Sequence, residues 1–182
     1  MKCARHGRLR LALTVCTLIL STSCAGADAN GDLRAMAKGK KAVVLVFIAT
    51  DCPISNAYAP ELRRIETGCT ARNVAFVLVY SEPDLTRENA RRHAKEYGYA
   101  CPWVLDPTRR LARRAGATVT PEAAVFAPDG RLLYRGRIDD AYVGYGKRRF
   151  RATRHDLRDV LDAVSSGRPM RLRTTMAVGC FI

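Results

Sequence analysis

The sequence predicts an α/β domain built on a mixed five-stranded sheet, and three observations carry that reading. Apolar runs of strand length alternate with segments of helical periodicity, the order that builds a parallel sheet with right-handed crossovers. The last two strands instead flank Asp129-Gly130, a tight-turn pair that folds them into an antiparallel hairpin. About 155 residues follow the first 27, enough for one domain with a real core, and no repeat, low-complexity stretch or internal linker divides them.

Residues 1–27 read as a signal peptide. Lys2, Arg5, Arg8 and Arg10 precede the apolar run 11–20, which is too short for a bilayer span and the right length for a signal-peptide core. Ala25-Gly26-Ala27 fits the small-x-small cleavage rule, so cleavage is expected near Ala27. Lipoprotein processing at Cys24 competes less well, because Ser21 stands where Leu is usual. The expected address is periplasmic or extracellular, with residues 28–166 as the folded domain and 167–182 as a tail.

The elements follow in order. Residues 43–48 are an apolar, β-branched strand, and 74–80 a second buried one. Residues 85–97 form a helix with Ala90, Ala94 and Tyr97 on its inner face. A short strand at 102–105, a short helix at 109–115 and the hairpin of 123–126 with 132–138 come next. A helix over 155–164 closes the domain, with Leu157, Val160, Leu161 and Val164 at helical spacing.

Cys52 carries the chemical signal. It follows the first strand and precedes Pro53-Ile54-Ser55, where a helix should begin. Free N–H groups and the helix dipole there favour a thiolate, while Asp51 next door opposes one. A buried structural cysteine is the competing reading, since thiols are among the most often buried groups.

Several features in sequence order resemble the thioredoxin-like superfamily over residues 40–165. These are the strand, Cys52, Ser55 three residues on, Pro60 eight residues on, and Val119-Thr120-Pro121-Glu122 some seventy residues downstream before an apolar strand. In that family the two prolines kink the active-site helix and form a cis-proline loop. The resemblance implies a thioredoxin-like three-layer sandwich with no cofactor. The departures narrow it. Ser55 replaces the second cysteine of Cys-x-x-Cys, so no local disulfide forms, and Ala49 stands where peroxiredoxins carry Thr or Ser, with Thr50 one place later. The nearest likeness is to exported bacterial redoxin-domain proteins, between the alkyl hydroperoxide reductase and thiol-disulfide oxidoreductase groups.

The resemblance implies that Cys52 attacks a protein disulfide, with an external thiol as reductant. A thiol peroxidase reducing hydroperoxides through a sulfenic acid is the first alternative. A non-catalytic binding module, in which Ser55 records a lost activity, is the second. Thr120-Pro121 would present backbone to a substrate chain. Ser55 would hydrogen-bond the sulfur or cap the helix.

The remaining cysteines can be sorted by topology. Cys52 ends a strand at the carboxyl edge of the sheet, where such folds place their chemistry. Cys69 and Cys101 precede the strands 74–80 and 102–105 at the opposite edge. They are expected to form a structural bridge, against the alternative of two inert buried thiols. Cys180 is then the candidate partner of Cys52. A tail of about fifteen residues extends some 45 Å, so reach is no obstacle. Its low-polarity ending, 176–182, fits docking better than fraying, though termini are usually poorly ordered.

The chain carries a formal net charge of +14. Without residues 1–27 it keeps 27 basic against 17 acidic side chains, a net of +10. Its arginine pairs spread over several helices instead of one face, so no specific nucleic-acid partner is expected, only weak attraction to anionic envelope surfaces. His93 and His155 share no ligand spacing with a cysteine and read as surface histidines, which leaves metal binding without a local ligand set. Trp103 reads as core. Arg137-Ile138-Asp139-Asp140 would shape the substrate surface or, more simply, cap the following segment.

Overall fold

The computed structural model describes residues 33–182, so the signal-peptide reading, its cleavage site and Cys24 fall outside the described residues. A short helix, α1 (Leu33–Ala37), leads into β1 (Ala42–Ile48). Every β1 residue is buried, as a strand covered on both faces must be, which is why its sequence is apolar without alternation.

From β1 the chain runs through α2 (Pro53–Ala57), α3 (Ala59–Ala71), β2 (Val74–Tyr80), α4 (Arg87–Glu96), β3 (Trp103–Leu105) and α5 (Arg110–Ala115). It continues as β4 (Val119–Thr120), β5 (Glu122–Phe126), β6 (Leu132–Gly136), β7 (Tyr142–Gly144) and β8 (Lys147–Arg148). Helix α6 (Asp156–Ser165) and two short strands, β9 (Arg173–Thr174) and β10 (Cys180–Phe181), complete it.

The central sheet has the order β3-β2-β1-β5-β6-β9. Strands β1, β2 and β3 are parallel, β5 is antiparallel to both β1 and β6, and β9 is parallel to β6. Alternate residues of β1 divide the core into two layers. Val44, Val46 and Ile48 pack with Leu62, Leu157 and Leu161 from α3 and α6. Val43, Leu45 and Phe47 pack with Leu33, Leu111 and Ala112 from α1 and α5. The three-layer thioredoxin-like sandwich is thus the observed fold.

Four details depart from expectation, each for a local reason. The sheet gains a sixth strand, because β9 pairs parallel with β6 along Tyr134 and Arg135. Strand β6 stops at Gly136, whose φ of +149° accommodates Thr175 of the passing tail where any Cβ would collide. The helix after Cys52 is broken in two at Tyr58 instead of being kinked. Pro60 has no N–H to return to Asn56, so the ladder restarts with the Leu62 N–H on the Tyr58 carbonyl. Finally, His93 is buried, not on the surface. Its Nδ1 pairs with the Tyr80 hydroxyl at 2.8 Å and its Nε2 with Asn56 Oδ1 at 2.9 Å, and burial lowers its pKa.

Candidate functional site

The turn between β1 and α2 is held from outside. The Thr50 N–H and hydroxyl both donate to Glu82, and Asn56 Nδ2 donates to the Thr50 carbonyl at 3.0 Å. This delivers Cys52 as the N-cap of α2, fully buried, with its sulfur accepting the Ser55 N–H at 3.4 Å. The cysteine is therefore the cap. Ser55 is not the cap, and its buried hydroxyl has no hydrogen bond of ordinary geometry, so it acts on the sulfur as a nearby dipole.

Across from Cys52 lies the Thr120-Pro121 loop, with a cis peptide between the two residues. The Cys52 thiol lies 3.0 Å from the Thr120 carbonyl and donates to it. Glu122 shapes the approach by accepting the Thr118 N–H at 2.8 Å. The outer edge of β4 is paired antiparallel with β10, which sets Cys180 opposite Thr120 and Phe181 opposite Val119. The Ile182 N–H extends the ladder to the Thr118 carbonyl at 3.0 Å.

That register sets Cys180 beside Cys52, with its thiol within electrostatic reach of the Cys52 sulfur. Gly179 makes it feasible, since a Cβ there would land on the Thr120 carbonyl carbon and oxygen. Tyr145, just beyond β7, donates its hydroxyl to the Gly179 carbonyl at 2.7 Å. A cleft of about 250 Å³ beside the pair is lined by Asp51, Glu82, Arg109, Cys180 and Phe181.

The electrostatics follow from these contacts. Burial alone would push the Cys52 thiol up, but the dipoles of the Cys180 thiol, the Ser55 hydroxyl and N–H, and the Thr120 side chain overcome it and lower the pKa to about 7. With α2 only five residues long, these direct donors matter more than a helix dipole. Cys180 moves the other way: burial and the neighbouring Cys52 raise its pKa, and Asp51 adds to the effect. The arrangement favours one thiolate, on Cys52, beside one thiol.

The structure brings together four of the five candidate residues, Cys52, Cys180, Thr120 and Pro121, and sets Ser55 behind the sulfur. Tyr145 and Gly179 were missed. Glycine directly before Cys180 was a visible signal, whereas nothing in the sequence joins Tyr145 to a residue 34 positions away.

Elsewhere, Cys69 and Cys101 are free and buried, not bridged. Burial pushes both to about 12, and Glu66 reinforces that at each. The Arg137–Asp140 stretch caps the next segment. Asp140 accepts the Thr153 and Arg154 N–H groups, Asp139 accepts the Tyr58 hydroxyl, and Arg137 pairs with Asp156 at 2.7 Å. Glu61, Asp139 and His155 approach within 4.8 Å of one another, but Glu61 already pairs with Arg158 at 2.7 Å and Arg64 at 3.2 Å.

A central sheet of this order, with a cysteine capping the helix after β1 against a cis-proline strand, defines the thioredoxin-like class. Within it, the Redoxin family model matches residues 14–142, and the chain belongs to that family. A solved hypothetical protein of Sinorhizobium meliloti is 31% identical, with 85% of this chain and 87% of that one covered at a TM-score of 0.70. An uncharacterized conserved protein of Geobacillus kaustophilus is also 31% identical, with 78% and 76% covered at 0.68. A Chlorobium tepidum protein described as a DsbE-type thiol:disulfide interchange protein is 16% identical, with 71% and 82% covered at 0.53, a likeness of fold. No curated protein matches the chain. The protein is thus a thioredoxin-like redox enzyme of the thiol-based kind. The family match includes Cys52 and Pro121 and ends before Tyr145, Gly179 and Cys180.

Proposed function

We propose that this is an exported thiol-disulfide exchange protein in which Cys52 is the nucleophile and Cys180 its internal partner. The observation that carries the reading is the placement of Cys180 beside Cys52 by the pairing of β10 on β4. The Cys52 thiolate attacks one sulfur of a protein disulfide, forming a mixed disulfide and releasing the other sulfur as a thiolate. Consuming the Cys52 thiolate removes one of the groups that, after burial, raise Cys180, so Cys180 ionises more readily. Its thiolate then attacks the Cys52 sulfur, which closes a Cys52–Cys180 bond and frees the second substrate thiol. An external thiol restores the reduced pair. Export is supported by the character of residues 1–27.

Full burial of Cys52 favours a second reading, since a small oxidant reaches a covered sulfur more easily than a polypeptide does. In it, the thiolate attacks the O–O bond of a hydroperoxide, releases an alcohol and becomes a sulfenic acid. Condensation with Cys180 expels water and gives the same internal disulfide. Peptide mass spectrometry after one equivalent of oxidant tests the shared step. A bond joining Cys52 and Cys180 peptides is the expected result. Thiols left unmodified would point to a non-catalytic binding module and overturn both readings.

A further inference from the structure

The β4 edge beside Cys52 is covered by the chain's own residues, and the cover is slight. The ladder of β10 is two residues long and Phe181 stays 87% exposed, so the apolar packing of the segment comes from the half-buried Val178, Cys180 and Ile182. Main-chain pairing to β4 and the Tyr145 hydroxyl on the Gly179 carbonyl do most of the holding. Strand addition of this kind takes its affinity from the backbone and its selectivity from the few side chains that meet a wall. Val178 and Ile182 rest half-buried against the core, and one position between them leaves no room for a side chain. The residue before the cysteine faces the Thr120 carbonyl with no room for a Cβ, while the residue after it points to solvent.

We propose that Gly179-Cys180-Phe181 is a built-in occupant of the edge at which an extended polypeptide must pair to reach Cys52. The resting protein is then closed to polypeptides, and the segments able to replace the occupant carry glycine directly before the reacting cysteine. This rests on the reading of Cys52 as the nucleophile. It adds that access is controlled by the chain itself and that the Thr120 carbonyl selects the sequence admitted.

Two peptides test it, Ala-Val-Gly-Cys-Phe-Ile and Ala-Val-Ala-Cys-Phe-Ile, each with its cysteine in a mixed disulfide with thionitrobenzoate. Attack by Cys52 forms a protein–peptide disulfide and expels one coloured thionitrobenzoate thiolate, so the rate is read directly. The Cys180→Ser protein keeps the cover without a second thiol, and it is expected to react slowly with both peptides. Adding Tyr145→Phe removes the hydrogen bond to Gly179, and adding Gly179→Ala drives the tail off by collision. Either change should accelerate the glycine peptide at least tenfold and leave the alanine peptide at least tenfold slower.

Unchanged rates in both release variants, with thermal melts showing both folded, would overturn the proposal, as would equal rates for the two peptides. Cys52→Ser in the same assay separates the premises. Colour release that persists without Cys52 refutes the nucleophile reading, whereas its loss beside unchanged release variants refutes only the cover.

Discussion

Two pairs of cysteines sit at opposite edges of one sheet, and solvent exposure does not distinguish the first member of each, Cys52 and Cys69. Cys52 is 0% exposed and Cys69 1%, yet the first has a pKa of about 7 and the second about 12. Burial raises both. Donors make the difference: Cys52 has a backbone N–H, a second thiol and two hydroxyl-bearing residues around it, while Cys69 and Cys101 share the carboxyl group of Glu66 as a neighbour. A buried thiol is thus made reactive or inert by the sign of the dipoles that reach it.

The largest effect that would break this contrast is loss of function at one edge only. Cys52→Ser is expected to lower disulfide or hydroperoxide turnover to background, and Cys69→Ser to leave it within about twofold, measured as steady-state rates side by side. Turnover surviving in Cys52→Ser would erase the distinction. Next in size is Cys180→Ser, which should trap Cys52 as a mixed disulfide or sulfenic acid after one turnover, visible by mass. Full turnover there would assign resolution to an external thiol and reduce the tail to packing.

The pH dependence sharpens the same comparison. Alkylation of Cys52 by iodoacetamide should rise with a midpoint near pH 7, in step with its thiolate fraction, while Cys69 and Cys101 stay unmodified up to about pH 10. A shared midpoint would break it. A smaller effect is structural. Cys69→Ser places a hydroxyl among apolar groups and should cost about 1–3 kcal/mol in denaturant unfolding.

Stability at alkaline pH carries the same contrast. Unfolded, Cys69 and Cys101 ionise near 9.0, and folded near 12, so above pH 9 the folded state holds protons the unfolded state has released. Their contribution to stability is complete below about 9 and is lost as pH rises through about 12. A melting temperature that climbed over that window would contradict the assignment.

What was legible depended on how local the cause was. Strand β2 could be read to the residue because Val74–Tyr80 is a continuous apolar run, and α6 to within one residue at each end because its apolar residues recur at helical spacing. Cys52 and Thr120-Pro121 were legible through the order of motifs. The two tail strands were not, since a two-residue strand has no periodicity and exists only through its partner. His93 was misplaced because the groups that satisfy it, Tyr80 and Asn56, come from β2 and α2. The bridge between Cys69 and Cys101 was expected from edge placement alone, which says nothing of whether two thiols join.

Strand β9 has one more consequence. Thr175 is fastened to β6, its N–H on the Arg135 carbonyl at 3.0 Å and its hydroxyl shared with Tyr134 at 2.7 Å. Only residues 176–179 separate that anchor from Cys180. Viewed as a tether, so short a span presents the Cys180 thiol to Cys52 at an effective concentration on the order of millimolar or more. A free monothiol must match that concentration to intercept Cys52 before the internal bond closes. A dithiol reductant carries the same advantage in its own second sulfur, and is the kind of donor best suited to reopen it.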